Sequence, residues 1–538
     1  MTKRFGKKKQ ARQRRWPRTF TLVIIGLLIA GCMVVALTQW RRVVYGQVRP
    51  RRVDTSGKAS IEVKKGDNLQ GAINAAQPGD TIVLEAGASF TGPITLPNKP
   101  GASFITIASS QLSRLPGAGV RVSPNDAAMM PKILTPGKGQ PALQTDAGAH
   151  HFRVIGVEFV AANSDYIYNL VSLGTDAQAA AEVPHDLVFD RCYVHQRGAG
   201  GITRRGFALN SAETSVTNSY VSGFAGSQQE TQAIAGWNGP GPFHIVNNYL
   251  EAGAETIMFG GGDPSIQGLV PSDIEIRRNL LTKQLSWRGQ VTIKNVFELK
   301  NARRVQVIGN IIENGLDCTA ITLTVRNQNG GAPWSTVEDV EIRSNIVRHA
   351  GAAINVLGTD NDHPSQKMKR LKIINNLFDD ISHDRWGGDG YYLQINGGQD
   401  IQIEHNTAFH SGTMIKAYGD VVEGFVFRSN ILSYNLYGVW GDGAGVGLAA
   451  IDKYFTSEAF TDNVIVNGRG IDVNEIKLPP HNFLVPNFGA VGFRDQQAGD
   501  YRLAPNSRFK GKGTRSQDTG CDFDALKREV GEQAASPK

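Results

Sequence analysis

One pattern recurs from about residue 150 to residue 465 and limits what this chain can fold into. Each instance is an alternating strand, a small or polar residue, a marker residue that is mostly Asn, and an apolar residue, as in FHIVNNYL, VQVIGNII and LKIINNLF. Successive markers are 24 to 35 residues apart. The markers are Cys192, Ser219, Asn248, Asn279, Asn310, Asn345, Asn376, Asn406, Asn430 and Asn463.

This period is that of a solenoid coil built from about three short strands. A leucine-rich repeat would need Leu at fixed offsets, and a propeller blade would need a longer period. The pattern therefore predicts an all-β parallel β-helix of about ten or more coils. Ten coils spaced about 4.8 Å apart give a rod about 50 Å long.

The marker asparagine has a physical role in such a coil. Asn tolerates unusual backbone angles at a tight bend, and stacked amide side chains hydrogen-bond from one coil to the next. We therefore expect a column of Asn side chains at one bend of every coil.

Both ends of the solenoid, predicted at 61–475, have features typical of covers. Near the start, Leu69, Ala72 and Ile73 have helical spacing, and Pro78-Gly79-Asp80 precedes a strand at 81–84. A capping helix there would protect the open edge of the sheet. Residues 476–538 have few alternating stretches and are expected to form a C-terminal cover and tail.

The N-terminus predicts a membrane anchor. Residues 19–40 carry no charge and are long enough to span a bilayer of about 30 Å. Nine Lys and Arg lie in the basic tail 1–18 and five follow the apolar segment, from Arg41 to Arg52 in the linker 41–60, which favours a body outside the cytoplasm, in the cell envelope. Ile29-Ala30-Gly31-Cys32 resembles a lipobox, so a lipoprotein is an alternative, and a cleaved signal is another.

The net charge of +8 does not indicate a nucleic-acid partner. Residues 1–53 contain 14 of the 57 Lys and Arg and no acid, which leaves 43 basic against 49 acidic residues, a net of −6, in the body. The four cysteines form no C-x-x-C pair, so the sequence favours neither a disulfide framework nor a Cys-based zinc site.

Three segments together resemble the pectate-lyase-like superfamily of right-handed parallel β-helices. They are GDNLQGAINAAQPGDTIVLEAG, the Asn-marked coils and AGDYRLAPNS, and the resemblance covers roughly residues 60 to 515. The superfamily includes polysaccharide lyases, hydrolases, epimerases, esterases and non-catalytic binders, so the resemblance indicates a fold more than a reaction. The Asn-Thr-Asp and Gly-His-Gly signatures of polygalacturonases and the Asp-Pro-His-Asp signature of alginate epimerases are missing.

Aligning the coils on their markers brings polar residues to one column along the rod, where a linear polymer could bind. The column contains Asn210, Asn238, Lys300, either Arg326 or Asn327, Asp360 and Asn396. FELKNARRVQVIGN followed by LTVRN resembles the Lys and Arg of the alginate-lyase and chondroitinase-B branch. The resemblance implies that Lys300 is a base and that Arg326 stabilises charge, although 26 residues are less than one typical coil.

That branch also implies Ca²⁺, for which Glu298 and Asp263 are the candidate ligands. Trp237, Asn238, Arg205 and Asp360 are the candidate substrate-binding residues, because aromatic rings stack on sugars and polar groups orient them. Each residue also has a structural explanation: a Lys that ends a strand is commonly solvated, and Arg326 could bond a neighbouring turn.

The sequence thus predicts a lyase that cleaves acidic, uronic-acid polysaccharide by β-elimination. The alternatives are a non-catalytic glycan-binding or surface-structural β-helix protein and a glycoside hydrolase.

Overall fold

The computed structural model describes residues 52–55, 58–162, 164–197, 201–456, 459–472 and 475–531. The predicted basic tail, the anchor 19–40 with Cys32, and most of the linker lie outside the described residues. In the part of the chain that is described, no helix is both long and apolar enough to cross a membrane.

The chain winds through three ladders of mostly parallel strands, which confirms an all-β parallel β-helix. The first ladder belongs to a 17-stranded sheet. It contains Lys58–Val63, Thr81–Leu84, Ile105–Ser109, His150–Ile155, His185–Asp190, Thr214–Thr217, Phe243–Val246, Ser272–Arg277, Ala302–Ile308, Val337–Arg343, Lys369–Ile374, Gln399–Glu404, Val422–Glu423 with Val426–Arg428, and Phe455–Thr456 with Ala459–Thr461.

The second and third ladders form one 25-stranded sheet, because two long strands, Ile311–Thr324 and Ile346–Leu357, run through the bend between them. The second ladder also contains Ser89–Thr91, Lys132–Leu134, Glu158–Ala161, Tyr193–Gln196, Tyr220–Phe224, Tyr249–Ala252, Leu280–Thr282, Leu377–Ile381, Thr407–His410, Ile431–Ser433, Val464–Val466 and Phe483–Val485. The third contains Ile94–Leu96, Leu143–Thr145, Tyr166–Leu173, Ile202–Leu209, Gln232–Gly236, Ile257–Phe259, Phe297–Leu299, Leu393–Asn396, Ile415–Ala417 and Val439–Gly441, with Gly445–Val446 antiparallel to the last.

The core is a stack of apolar side chains from alternate strand positions. In the first ladder, Ile245, Ile276, Val307 and Ile342 lie in register on successive coils and are fully buried. Each branched side chain packs on the one above it, so burial of one coil depends on its neighbours.

The predicted asparagine column is confirmed. Asn279 donates to the Oδ1 atom of Asn310 from its backbone N–H at 2.9 Å and from Nδ2 at 3.0 Å, and the same pair of bonds links each neighbouring marker from Asn248 onward. The column ends at Asn482, which was not among the markers, and Ser219 joins it at the other end through its backbone N–H.

The bend itself differs from the expectation in one respect. The left-handed backbone conformation belongs to the residue before the marker, as at Arg278, Ser344 and Asn375, with φ between 55° and 59°. The marker Asn has a negative φ, and its amide points inward to the neighbouring coils, as at Asn279, which donates to the Ile245 carbonyl.

The predicted N-terminal helix is present at Leu69–Ala75. The Asn68 side chain caps it by accepting from the backbone N–H of Gly71 at 2.9 Å, and Leu69, Ala72 and Ile73 enter the core. The predicted linker 41–60 overlaps strand Arg52–Thr55, which is antiparallel to the first strand of the first ladder.

The C-terminal segment lies on the outside of the rod. Strands Phe493–Asp495 and Asp500–Leu503 form a hairpin, and helix Phe523–Val530, which the sequence analysis did not identify, packs Leu526 against Ile311 and Leu377. The remaining helices are short: Leu112–Arg114, Pro124–Met129, Ala180–Glu182, Leu285–Trp287, His383–Trp386, Leu448–Tyr454, Phe488–Val491 and Thr514–Ser516.

Candidate functional site

The centre of the candidate site is strand Phe297–Leu299 of the third ladder. Phe297 and Leu299 point into the core, so Glu298 faces outward, as does Lys300, two residues further along. The Lys300 Nζ atom lies 3.7 Å from Glu298 Oε1. Both side chains are largely shielded, with 14% of Lys300 and 6% of Glu298 exposed, so the pair interacts more strongly than two solvated charges would.

A second acid and its partners lie one coil away. Glu255 is buried, and Gln232 donates from Nε2 to Glu255 Oε2 at 2.7 Å. Lys294 lies 3.7 Å from the other oxygen of Glu255 and also pairs with Glu230. Three glutamates and two lysines therefore share one stretch of the rod.

The pKa of the Glu298 carboxyl group is raised, which favours its neutral form. Burial raises its pKa to about 7, Glu255 pushes in the same direction, and Lys300 and Lys294 oppose them. For Glu230, the hydrogen bond and the charge of Lys294 outweigh burial and lower the pKa. Perturbed carboxyl groups in such a cluster are typical of sites that bind or transform a ligand.

Several buried oxygens in this cluster have no hydrogen-bond partner within the described chain. They are Oε1 of Gln232, Oε1 of Glu255 and Oε2 of Glu298. Buried oxygens of this kind are costly unless a ligand, an ion or water satisfies them. These oxygens are therefore available to water, an ion or a ligand.

Arg205 and Trp237 form the next part of the site. The Arg205 guanidinium lies 4.5 Å from the centre of the Trp237 ring and donates to Asn169 at 3.3 Å. Burial, and secondly the neighbouring Arg204, lower the pKa of Arg205 to about 10. The guanidinium is thus a desolvated cation near Glu255 and Glu230, and its role in substrate binding stays a prediction.

The glycine-rich loop at residues 260–262 packs against both Trp237 and Lys300. A Cβ atom at Gly260 would lie 2.8 Å from the Cβ of Lys300, and one at Gly262 would lie 3.2 Å from the Trp237 ring. Gly260 also has a φ of 95°, which residues with a side chain rarely adopt. The loop packs closely against both predicted site residues because its glycines lack side chains.

Arg326 is adjacent to Lys300 but is engaged with the next coil. Its backbone N–H donates to the Lys300 carbonyl at 2.9 Å, and its guanidinium pairs with Asp360 at 2.9 Å. Asp360 also accepts the backbone N–H of Asn327 at 2.7 Å, and its carboxylate is 1% exposed. These bonds outweigh burial and lower the pKa of Asp360, so it holds Arg326 in place as an anion.

Two other predicted residues support the loops around the cluster. The Asn238 side chain is buried, donates to the Ala177 carbonyl and accepts from Ile266. Asp263 Oδ2 accepts the backbone N–H groups of residues 329 and 331, and its Oδ1 atom has no partner among the described residues. The substrate role of Asn238 and the metal role of Asp263 stay predictions.

Sequence analysis missed Glu230 and Lys294 and did not include Glu255 among the site residues. Each lies two or three residues before a third-ladder strand, namely Gln232–Gly236, Phe297–Leu299 and Ile257–Phe259. The coils had been aligned on their Asn markers, which lie between the first and second ladders. Aligning them on the third-ladder strands would have brought these charges together.

Comparison with known proteins gives structural neighbours only. No family model and no curated protein matches the chain. An alginate lyase from Paenibacillus sp. str. FPU-7 aligns over 79% of this chain and 97% of its own, with 13% identity and a TM-score of 0.29. A PL6 family polysaccharide lyase from Pseudopedobacter saltans aligns over 86% and 98%, with 12% identity and a TM-score of 0.41.

A mutant tailspike protein of E. coli bacteriophage HK620, in complex with a pentasaccharide, aligns over 76% of this chain and 64% of its own, with 14% identity and a TM-score of 0.41. The resemblance to pectate-lyase-like β-helices holds at the level of fold, for which the strand ladders are the evidence. A shared fold does not determine a reaction, so the function has to be argued from the site.

Proposed function

We propose that this protein acts on an acidic polysaccharide and cleaves it by β-elimination. The observation that carries the proposal is the third-ladder cluster, in which Lys300 pairs with the buried Glu298, Lys294 pairs with the buried Glu255, and Arg205 lies near Glu255. Cations attract the uronate carboxylates of a polymer lying along the rod. The apolar segment 19–40 supports placement in the cell envelope, with the body outside the cytoplasm.

In the proposed reaction a base removes the proton next to the uronate carboxylate. The bond to the glycosidic oxygen on the neighbouring carbon then breaks, a carbon–carbon double bond forms, and the leaving oxygen takes up a proton. Lys300 is the proposed base, and Arg326 stabilises the negative charge that develops on the carboxylate. Asp360 keeps Arg326 oriented for that role.

The residues present fit a bound Ca²⁺, which would neutralise the substrate carboxylate. Glu255 and Glu298, with Gln232, would hold it, because their oxygens that accept no hydrogen bond are the hard ligands that Ca²⁺ prefers. Asp263 is not a ligand in this proposal, because its Oδ2 atom already accepts the backbone N–H groups of residues 329 and 331 in a neighbouring loop.

A panel of uronic-acid polymers tests the proposal directly. The full-length chain should release unsaturated products, detected by their ultraviolet absorbance, from at least one polymer, and a chelator should reduce the rate. New reducing ends without that absorbance would indicate a hydrolase. No product from any polymer, with a β-rich circular dichroism spectrum retained, would contradict catalysis.

A second candidate function is glycan binding without cleavage, and one observation favours it. Tyr166 and Tyr168 are exposed on the third ladder, with ring centres 4.9 Å apart, near Arg204. Exposed aromatic faces beside a cation are suited to sugar rings with acidic groups. If this is the function, the protein will bind an acidic polymer without releasing products from it.

Replacing Tyr168 by alanine should weaken polymer binding about 5- to 10-fold, by removing roughly 1 kcal/mol of ring stacking. Titration calorimetry with an acidic oligosaccharide measures the change. Leu436→Ala, which removes an exposed apolar side chain from the loop after Ile431–Ser433, is the control and should leave affinity unchanged. Equal affinity of Tyr168→Ala and the unaltered protein would exclude the tyrosines from the binding surface.

A further inference from the structure

Three potential metal ligands meet on the first ladder, away from the cluster around Lys300. The side chains of His151, His185 and Asp186 each offer a ligand atom, and these atoms all lie within 4.8 Å of one another. Within the described chain this is the only such group of three His, Cys, Asp or Glu side chains. It lies several coils toward the N-terminus from strand Ala302–Ile308, which follows Lys300.

The coil geometry explains why residues so far apart in sequence come together. His185 pairs with His150 in the parallel register of neighbouring first-ladder strands, which places Asp186 beside His151. His151 and Asp186 both have positive φ, 58° and 52°. Asp186 Oδ2 lies 2.7 Å from His185 Nδ1 and 3.8 Å from His151 Nδ1.

His150 orients the other two imidazoles. Its ring stacks on the His185 ring, with centres 4.8 Å apart and planes 9° from parallel. Its Nδ1 atom lies 2.7 Å from His151 Nδ1, within hydrogen-bond distance. Phe104 packs against the other side of His151, with ring centres 5.2 Å apart. Held rings of this kind lose less freedom when they bind an ion.

The same column in later coils has a different chemistry. There Asp273 pairs with Arg304 and Asp339 pairs with Arg370, so acid and base neutralise each other on successive coils. Among the described residues, the ion pairs of the Asp186 carboxylate, earlier in the same column, are with the imidazoles of His151 and His185. Two imidazoles and a carboxylate form a donor set typical of Zn²⁺, whereas Ca²⁺ prefers oxygen alone.

We propose that His151, His185 and Asp186 bind a divalent transition-metal ion such as Zn²⁺, with His150 as a positioning residue. Three protein ligands leave one position of a tetrahedral site for water. The ion would join two neighbouring coils and stabilise the N-terminal part of the rod. This site is independent of the proposed lyase reaction and of its Ca²⁺.

Titration calorimetry of Zn²⁺ into the metal-free, full-length chain, purified without a histidine tag, tests the proposal. We expect one Zn²⁺ per chain, with affinity unaffected by excess Ca²⁺. Asp186→Asn and His185→Ala should weaken binding about 100-fold or more, and His150→Phe, which keeps a ring but loses the hydrogen bond, about 10-fold. The matched control is His244→Ala, since His244 pairs with Glu275 on the same ladder at 2.9 Å and no third ligand is near them among the described residues.

A second measurement does not depend on these variants folding well. Co²⁺ added to the unaltered protein should give the visible absorption of a four- or five-coordinate site, and Zn²⁺ should abolish it. Absence of saturable Zn²⁺ binding and of the Co²⁺ band would overturn the proposal. Equal Zn²⁺ affinity in the folded Asp186→Asn variant and the unaltered protein would also overturn it.

Discussion

Replacing Lys300 by alanine will reduce kcat/KM on the cleaved polysaccharide by about 10³-fold, which is the range expected when a general base is removed. The side chain lies at the end of a third-ladder strand, 3.7 Å from Glu298 and beside the Gly260 loop. A small residue there cannot take the substrate proton. Initial rates of unsaturated product formation, measured at several substrate concentrations, give the change.

Two further variants separate the base from a mere positive charge. Lys300→Arg keeps the charge but cannot act as a base at neutral pH, so it should remain as inactive as Lys300→Ala. Lys372→Ala removes an exposed lysine from the outer face of the first ladder and should retain full activity. Substantial activity in Lys300→Arg would contradict the base assignment and leave Lys300 an electrostatic role.

The second large effect concerns stability. Asn310→Ala should lower the free energy of unfolding by about 3 kcal/mol, because removal of one amide leaves several buried polar groups without partners. Asn310 donates to the Ile276 carbonyl at 2.8 Å and to Asn345, and its Oδ1 atom accepts two bonds from Asn279. Chemical denaturation followed by circular dichroism measures the change.

The matched control for this prediction is Asn329→Ala, whose side chain is exposed in the loop after Ile311–Thr324. It should change the free energy of unfolding by less than about 0.5 kcal/mol. If Asn310→Ala proves as stable as that control, the amide column is not a source of stability. Asn310→Leu, which fills the space without hydrogen bonds, should be destabilised as well, since the neighbouring amides remain unpaired.

The fold could be predicted because its information is local and repeated. Alternation of apolar and polar residues defines each strand, and an Asn follows the strand on most of the coils, as at Asn279, Asn345 and Asn376. The capping helix was equally visible, since Asn68 and the apolar spacing after it are adjacent in sequence. Helix Phe523–Val530 could not be predicted in this way, because its apolar side chains are buried only by packing against Ile311, which is distant in sequence, on the outside of the rod.

The candidate site was predicted less completely for a different reason. Glu298 lies on strand Phe297–Leu299 and Lys300 directly follows that strand, two residues further along, so their proximity follows from extended-chain geometry. Glu230 and Lys294 come from loops of variable length, and their meeting depends on how those loops return to the third ladder. The ligand group around His151 and Asp186 likewise requires the register between two coils.

The amide column also bears on how such a protein changes in length over evolution. Neighbouring column residues are 31 apart at Asn279 and Asn310, 24 apart at Asn406 and Asn430, and 19 apart at Asn463 and Asn482, yet the bonds between them have nearly the same lengths. The loops can therefore lengthen or shorten without disturbing the stack. Each coil marked by an Asn from Asn248 to Asn463 presents the same donor and acceptor to its neighbours, so duplication or loss of one of these coils preserves the pairing on either side. The rod can thus grow by whole coils while its loops diversify independently.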